Sequence, residues 1–260
     1  MCKYIVKIDD NYHYMDESER INDGGYKTLE EAIDRCKMIV LNNLKELYKK
    51  GMDAGDLGAQ WAMFGEDPFI VGGDESVPFS SYEFVNKTLC QEIIDDKINK
   101  ESMLFAISVH SDQEYGKYPY MVHLGFVNYY INKYKYLLSN QHDVNMAISG
   151  GWLHDTIEDC ASVNYEELKS LFGEDVADIV QALTNIDGEY NLNALKNNKI
   201  AFFVKLCDRL ANVAFFKINF KEKVYIKYVN QFEDINKNCP KEFKKIADEI
   251  KLLLNNADFK

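Results

Sequence analysis

Three short apolar segments of this chain each carry side chains of the kinds that bind metal ions. They are PYMVH (119–123), WLHD (152–155) and KLCD (205–208). Burying ionisable side chains is costly unless they are paired or bound to a cation. We therefore expect the fold to bring His123, His154, Asp155 and Asp208 together around one divalent metal.

The ligand types narrow the choice of metal. Two imidazoles and two carboxylates form a mixed nitrogen and oxygen set, which suits Mn²⁺, Fe²⁺ or Zn²⁺ better than Ca²⁺. Four protein ligands on a six-coordinate ion also leave positions for water and for a substrate oxygen. The pattern therefore favours a catalytic site over a purely structural one.

A second acidic pair follows the central segment. Glu158 lies four residues after His154, and Asp159 lies four after Asp155. If the helical turn persists, these acids lie on the same side as the ligands. There they could orient a metal-bound water or protonate a departing oxygen, although a solvated loop pair is the alternative. Asn212, one turn after Asp208, would face the site as a neutral hydrogen-bonding group.

The spacing of these residues resembles the H…HD…D signature of the HD superfamily of metal-dependent phosphohydrolases. The longer pattern is similar to the hydrolase domain of the RelA/SpoT family, which removes the 3′-pyrophosphate from ppGpp. The segments that carry this resemblance are LHDTIED (153–159), FGEDVA (172–177) with ALT (182–184), and KLCDRLAN (205–212). The resemblance as a whole covers about half the chain.

The resemblance implies an all-helical bundle that binds Mn²⁺. It also implies that Glu158 and Asp159 serve the hydrolytic water and that Asn212 touches the substrate. The chain resembles a stand-alone hydrolase, without the synthetase domain that follows the hydrolase in long members of the family.

The segment before the first histidine differs from the family pattern. The family has R-K-x-G-x-P-Y there, whereas this sequence reads QEYGKYPY (113–120). Tyr115 and Lys117 are candidates to stack on a base and hold a phosphate in place of the absent basic pair, and a tyrosine-rich surface loop is the alternative. Phe215 stands where the family often has threonine. Lys205 and Arg209 are expected to form structural ion pairs rather than substrate contacts.

These observations favour a metal-dependent phosphohydrolase that acts on a phosphorylated or pyrophosphorylated nucleotide. An alarmone-like substrate of the ppGpp or ppApp type, cleaved at its 3′-pyrophosphate, is preferred. One alternative is an HD-type 5′-nucleotidase that acts on nucleoside monophosphates. Another is a nucleotide-binding or protein-binding regulator that does not turn over its ligand.

Composition limits the possible partners and the compartment. The net charge is −12 and no stripe of Lys and Arg is visible, so binding to bulk nucleic acid is not expected. The six cysteines lie far apart without a C-x-x-C pair, as reduced thiols do. No signal-peptide core and no apolar run of about 20 residues is present. We expect a cytoplasmic protein that does not bind membranes; a homo-oligomer is possible.

The chain is predicted to be mainly α, with a small α+β domain of unknown role at 1–100 and the HD-type hydrolase domain with its C-terminal helices at 101–260. The pattern at Lys3–Ile8 predicts a strand, with Tyr12–Met15 as the returning strand of a hairpin. Capping boxes predict helices from Thr28 to about Tyr48 and from Ser80 to about residue 100.

From Glu101 onward, helical patterns follow one another. Asp143 is expected to cap a helix that ends near His154, and Asn164 caps the next. A single long helix is predicted over Asn193–Lys217.

Overall fold

A computed structural model describes residues 2–13, 16–73, 78–186, 189–218 and 222–255, with backbone alone at 186, 189–190, 216–218 and 222–225. The chain divides into two compact units, Met1–Asp96 and Lys97–Lys260. The predicted fold class, mainly α with a small N-terminal α+β region, is confirmed. The division into domains at residue 100 stays a prediction, and a helix runs through that position.

The first unit contains an antiparallel sheet in the order β2-β1-β3. Its elements are β1 (Tyr4–Asp10), β2 (Ile21–Tyr26), α1 (Leu29–Leu47), α2 (Ala54–Phe64), β3 (Glu66–Val71) and α3 (Ser81–Phe84). Alternate residues of β1 are buried, and Val6 and Ile8 share a core with Cys36 and Ile39 of α1. The capping box at Thr28 is present as predicted.

Two elements of this unit differ from the prediction. The strand that returns along β1 is β2, whereas Tyr12 and His13 lie in a turn and Met15 lies outside the described residues. The helix that Ser80 caps ends at Phe84. A new helix follows because the Asn86 side chain accepts a hydrogen bond from the Leu89 amide at 3.0 Å, which caps a second start.

The second unit is a bundle of helices. They are α4 (Lys87–Val109, which begins in the first unit), α5 (Met121–Tyr134), α6 (Gln141–Leu153), α7 (Thr156–Asp159), α8 (Tyr165–Phe172), α9 (Glu174–Leu183), α10 (Leu192–Asn197), α11 (Lys199–Ile218), α12 (Glu222–Asn238) and α13 (Lys244–Asn255). Two short hairpins interrupt them, β4 (Glu114–Tyr115) with β5 (Tyr118–Pro119), and β6 (Asn185–Ile186) with β7 (Glu189–Tyr190). The expectation of an all-helical bundle holds apart from these four two-residue strands.

Helix α11 runs through the middle of the bundle. Every residue from Ala201 to Ala211 is buried, and the helix packs against α5, α6, α9 and α13. A helix that is buried on all sides is usually apolar on all sides. Lys205, Asp208 and Arg209 break that rule, so each of these charges needs a partner or a ligand.

Helix boundaries differ from the prediction in two places. Asn140, rather than Asp143, caps α6, because its side chain accepts from the Asp143 amide at 2.8 Å. The long helix predicted over Asn193–Lys217 is two helices, α10 and α11. Asn198 separates them with an extended backbone, and its side chain accepts from the Ala201 amide at 2.9 Å. Asn164 caps α8 as predicted.

Among the described residues, none of the helices combines the length and hydrophobicity that a bilayer crossing requires. All six cysteines are free thiols; Cys2 is exposed and the others are buried.

Candidate metal centre

The second unit brings the four predicted ligands together from three helices. His123 lies in the first turn of α5, His154 directly follows α6, and Asp208 lies in the middle of α11. The two imidazole Nε2 atoms are 3.1 Å apart. Ligand atoms of His123, His154 and Asp155 all lie within 4.8 Å of one another.

The two carboxylates close the group from either side. The Asp155 Oδ2 atom is 2.9 Å from His154 Nε2 and 3.5 Å from His123 Nε2. The Asp208 Oδ1 atom is 3.4 Å from His123 Nε2 and 3.8 Å from His154 Nε2. One oxygen of each acid therefore lies within 4 Å of the Nε2 atoms of both imidazoles.

Burial and hydrogen bonding fix the two rings. His123 is 2% exposed and His154 is 1% exposed. His154 Nδ1 lies 3.0 Å from the Gly151 carbonyl oxygen, so this nitrogen carries the proton and Nε2 keeps its lone pair for the centre. His123 Nδ1 is buried with no hydrogen-bond partner among the described residues.

The electrostatics of the group favour positive charge between the four side chains. Burial opposes ionisation of Asp155, but both histidines hold the pKa of this carboxyl well below its usual range. Burial likewise acts against Asp208, and Lys205 and the histidines lower its pKa. Burial alone would lower the pKa of His123, yet the hydrogen bonds to Asp155 and Asp208 raise it to about 9.

A divalent cation fits this donor set. Two nitrogens that face each other at 3.1 Å must share a proton or a cation, because two lone pairs or two N–H groups would repel each other. The mixed nitrogen and oxygen ligands suit Mn²⁺, Fe²⁺ or Zn²⁺. The residues that would hold the cation are His123, His154, Asp155 and Asp208.

Close packing of α6 against α5 positions His154, and this gives a first prediction. A Cβ added at Gly151 would clash with Ile131 Cδ1 and lie 3.2 Å from Asn128 Oδ1, whereas one added at Gly125 would meet nothing within 4 Å. Gly151→Ala should therefore lower the free energy of unfolding by about 1–3 kcal/mol. Gly125→Ala should raise it by up to about 1 kcal/mol, because alanine favours helix.

Urea denaturation of the two variants measures this difference. Equal stability of both variants would contradict a tight contact between α5 and α6.

The ligand group opens into a cavity of about 250 Å³. The described residues that line it are Tyr115, Tyr120, His123, Asp155, Glu158, Asp159, Asn185, Lys205, Asp208, Arg209, Asn212, Lys227, Tyr228 and Gln231. Both predicted catalytic acids and two of the three predicted substrate-binding residues are in this set. The third, Lys117, is not; it is exposed and lies 5.5 Å from the Tyr118 ring.

The backbone that positions Glu158 and Asp159 at the cavity differs from the continuous helix that the sequence predicts. The helical turn does not persist: α6 ends at Leu153, and Asp155 has a non-helical backbone before α7 begins. Glu158 accepts hydrogen bonds from the Asn185 amide at 3.1 Å and from its side chain at 2.7 Å. Burial and the nearby Asp155 and Glu158 raise the pKa of Asp159.

Tyr120 links a ligand to an acid, and sequence reasoning did not assign it a role. Its hydroxyl donates to Asp155 Oδ2 and lies 3.3 Å from Asp159 Oδ2. Its ring stacks on His110 at 4.6 Å. Burial and the Asp155 charge raise the pKa of Tyr120, so the phenol stays a donor. Its position three residues before His123 was the available signal.

Asn212 and Tyr115 form the side of the cavity nearest to Asp208. Asn212 Nδ2 donates to Asp208 Oδ1 at 2.6 Å, and its Oδ1 accepts from the Tyr115 hydroxyl at 2.9 Å. The Tyr115 ring is held 4.1 Å from the Phe215 ring. Tyr115 is therefore buried, and its ring already has an aromatic neighbour.

Lys205 and Arg209, the buried cations that the structure describes in α11, have different partners. Lys205 Nζ lies 3.4 Å from Asp208 Oδ2, which is the ion pair that the sequence predicts. Arg209 has no carboxylate partner among the described residues; it donates from Nη2 to Gln231 Oε1 at 2.9 Å. The expectation of a structural ion pair is therefore wrong for Arg209, because α12 presents an amide and a phenol to it.

Comparisons with known proteins show only a distant structural likeness. No protein-family model matches the chain, and no curated protein sequence matches it. Among solved structures, the chain is similar to that of a metazoan ortholog of SpoT that hydrolyses ppGpp and plays a role in starvation responses. The two share 18% sequence identity with a TM-score of 0.46 over 59% of this chain and 93% of that chain. A likeness at this level carries no information on substrate.

Proposed function

We propose that this chain is a metal-dependent phosphohydrolase of the HD type that acts on a phosphorylated or pyrophosphorylated nucleotide. The observation that carries the proposal is the meeting of His123, His154, Asp155 and Asp208 at a cavity that also holds two further acids. Two buried imidazoles and two buried carboxylates, distant along the chain, have a physical reason to converge when they share a cation.

The chemistry divides between the cation and the chain. When bound, a divalent cation supplies Lewis acidity toward a phosphoryl oxygen and makes water more acidic. The chain supplies the proton transfers. We assign Glu158, which Asn185 holds by two hydrogen bonds, to accept a proton from the attacking water. We assign Asp159 to give a proton to the leaving oxygen, and its raised pKa supports this choice.

Substrate orientation falls to the polar groups around the acids. Tyr120 holds the Asp155 and Asp159 carboxylates in fixed relation to each other. Asn212 is held by Asp208 and Tyr115 with its amide at the cavity wall, where it can contact a sugar or phosphate oxygen. An alarmone-like substrate, cleaved at a 3′-pyrophosphate, is the preferred choice because the three sequence segments around these residues resemble the RelA/SpoT pattern.

A nucleotide panel tests the proposal. The full chain with Mn²⁺ is incubated with ppGpp, ppApp, nucleoside diphosphates and dAMP, and released phosphate and pyrophosphate are measured for wild type and for Asp155→Ala. Release of pyrophosphate from ppGpp or ppApp by wild type only is the expected result. Equal turnover by both proteins would reject the site.

The same panel separates the alternatives. Preferred turnover of dAMP would identify a 5′-nucleotidase. Tight retention of a nucleotide without product, even with Mn²⁺ present, would identify a regulator that does not turn over its ligand.

A further inference from the structure

Arg209 is a buried cation whose hydrogen-bonding capacity is largely unused. It is 4% exposed, and its Nε and Nη1 atoms have no hydrogen-bond partner among the described residues. Its contacts are one hydrogen bond from Nη2 to Gln231 and the Tyr228 ring, whose centroid is 4.4 Å from Cζ. A guanidinium has five N–H donors in its plane. Stacking on Tyr228 uses the face of the group and leaves the edge donors unpaired.

Lys205, a second buried cation of the same helix, does not share this property. Lys205 Nζ lies 3.4 Å from Asp208 Oδ2, so its charge is balanced within the protein. Successive residues of a helix point about 100° apart. Asp208 therefore faces the imidazoles, whereas Arg209 faces α12 and its residues Tyr228 and Gln231.

The residues that line the cavity carry charges of both signs. Asp155, Glu158 and Asp159 follow α6, whereas Arg209 lies on α11 and Lys227 on α12. Lys205 also lines the cavity, but its charge is balanced by Asp208. A guanidinium that lines a cavity and lacks its anion is suited to a ligand that brings one, and the planar fork of arginine matches phosphate oxygens.

We propose that Arg209 binds a phosphate group of the substrate other than the one that is hydrolysed, on the α12 side of the cavity. This inference deepens the proposed function and rests on it for the identity of the molecule that carries the phosphate. The Gln231 side-chain oxygen accepts a hydrogen bond from Arg209 Nη2. When the phosphate binds, its oxygens either replace the Gln231 oxygen at Nη2 or accept from Nη2 together with it.

Titration of inorganic pyrophosphate into the full chain, freed of metal with EDTA, tests the anion site directly. Arg209→Gln should weaken pyrophosphate binding by about 10- to 100-fold, as expected for the loss of charge-assisted hydrogen bonds. Arg209→Lys keeps the charge but loses the planar pair of N–H donors. Its affinity for pyrophosphate should lie between those of wild type and Arg209→Gln. Lys133→Gln, which breaks an ion pair with Glu249 elsewhere in the unit, should bind as wild type does.

A second variant supplies Arg209 with a carboxylate partner from the protein itself. Gln231→Glu places a carboxylate beside Nη2, so it should raise Tm and weaken pyrophosphate binding at the same time. Gln141→Glu makes the same charge change at the exposed first residue of α6 and should leave pyrophosphate binding unchanged. If Arg209 were only structural, Gln231→Glu would raise Tm and leave binding unchanged, which would overturn the proposal. Wild-type affinity in Arg209→Gln, or no binding by wild type, would also overturn it.

The nucleotide panel on the same preparations separates the two claims. Turnover of a nucleotide without pyrophosphate binding would support the proposed hydrolase activity and contradict the proposed role of Arg209. Pyrophosphate binding that depends on Arg209, without turnover of any nucleotide, would support the anion site and reject the hydrolase.

Discussion

Asparagine in place of Asp208 should abolish high-affinity Mn²⁺ binding and lower turnover at least about a thousand-fold. The carboxylate is buried and faces both imidazoles, and an amide of the same shape cannot supply the negative charge that balances a cation. The effect should be visible without a substrate. At a concentration 100 times its Kd, Mn²⁺ should stabilise wild type by about 2.7 kcal/mol and leave Asp208→Asn unchanged.

Calorimetric titration of Mn²⁺ and thermal unfolding with and without the metal measure these effects. Asp248→Asn, on the exposed face of α13, is the control for a simple change of net charge and should behave as wild type does. Wild-type Mn²⁺ affinity in Asp208→Asn would show that this residue is not a ligand.

Because Asp208 also pairs with Lys205, a second ligand variant is needed that leaves this ion pair intact. Asp208→Asn leaves the Lys205 ammonium buried without its carboxylate, and breaking a buried pair typically destabilises a protein by about 3–5 kcal/mol. His154→Gln removes one ligand and leaves that pair intact. Loss of Mn²⁺ binding in His154→Gln, which keeps the pair of Lys205 and Asp208, would show that the metal effect does not come from breaking that pair.

The proposed ligands could be predicted from sequence because the burial of an ionisable side chain is indicated by the apolar residues directly around it. An ionisable residue inside an apolar segment shows in the sequence itself, and His123, His154, Asp155 and Asp208 all have this property. We could predict that the four side chains meet without knowing how the helices pack. A shared cation is the simplest way to offset the free-energy cost of burying four ionisable groups. The convergence of the four side chains was therefore predictable from the sequence, although the helix boundaries around them were not. Their role as metal ligands stays a prediction.

Residues whose roles depend on neighbouring helices could not be found in this way. Tyr120 matters because its hydroxyl reaches residues 155 and 159, and Asn185 matters because it holds Glu158. Arg209 was expected to form a structural ion pair. Only the packing of α12 shows that it meets Tyr228 and Gln231 instead.

The missed strand has a related cause. The sequence INDGGY (21–26) has little of the alternation that marks a strand, and it becomes one because β1 supplies its backbone partners. Tyr12–Met15, which has more aromatic character, was preferred on local pattern alone. The break at Asn198 is similar, since one asparagine side chain ends one helix and caps the next.

Asp159→Asn should lower turnover by about a hundred- to ten-thousand-fold while keeping Mn²⁺ binding, because it removes a proton donor and none of the four ligands. It should also make the protein more stable at neutral pH. The pKa of Asp159 is raised in the fold by burial and by Asp155 and Glu158. A carboxyl of this kind contributes stability below its unfolded pKa of about 3.9, and that stability is lost as the pH rises through the folded pKa.

Thermal unfolding in EDTA at pH 7 and at pH 4 tests the sign of this effect. The Tm of Asp159→Asn should exceed that of wild type at pH 7, and the difference should shrink at pH 4, where the wild-type carboxyl is protonated more often. Asp112→Asn, in an exposed turn, should show neither change. A variant that gains stability while it loses turnover would indicate that the acid is kept for chemistry at the expense of the fold. Unchanged turnover would instead assign Asp159 to the solvated surface.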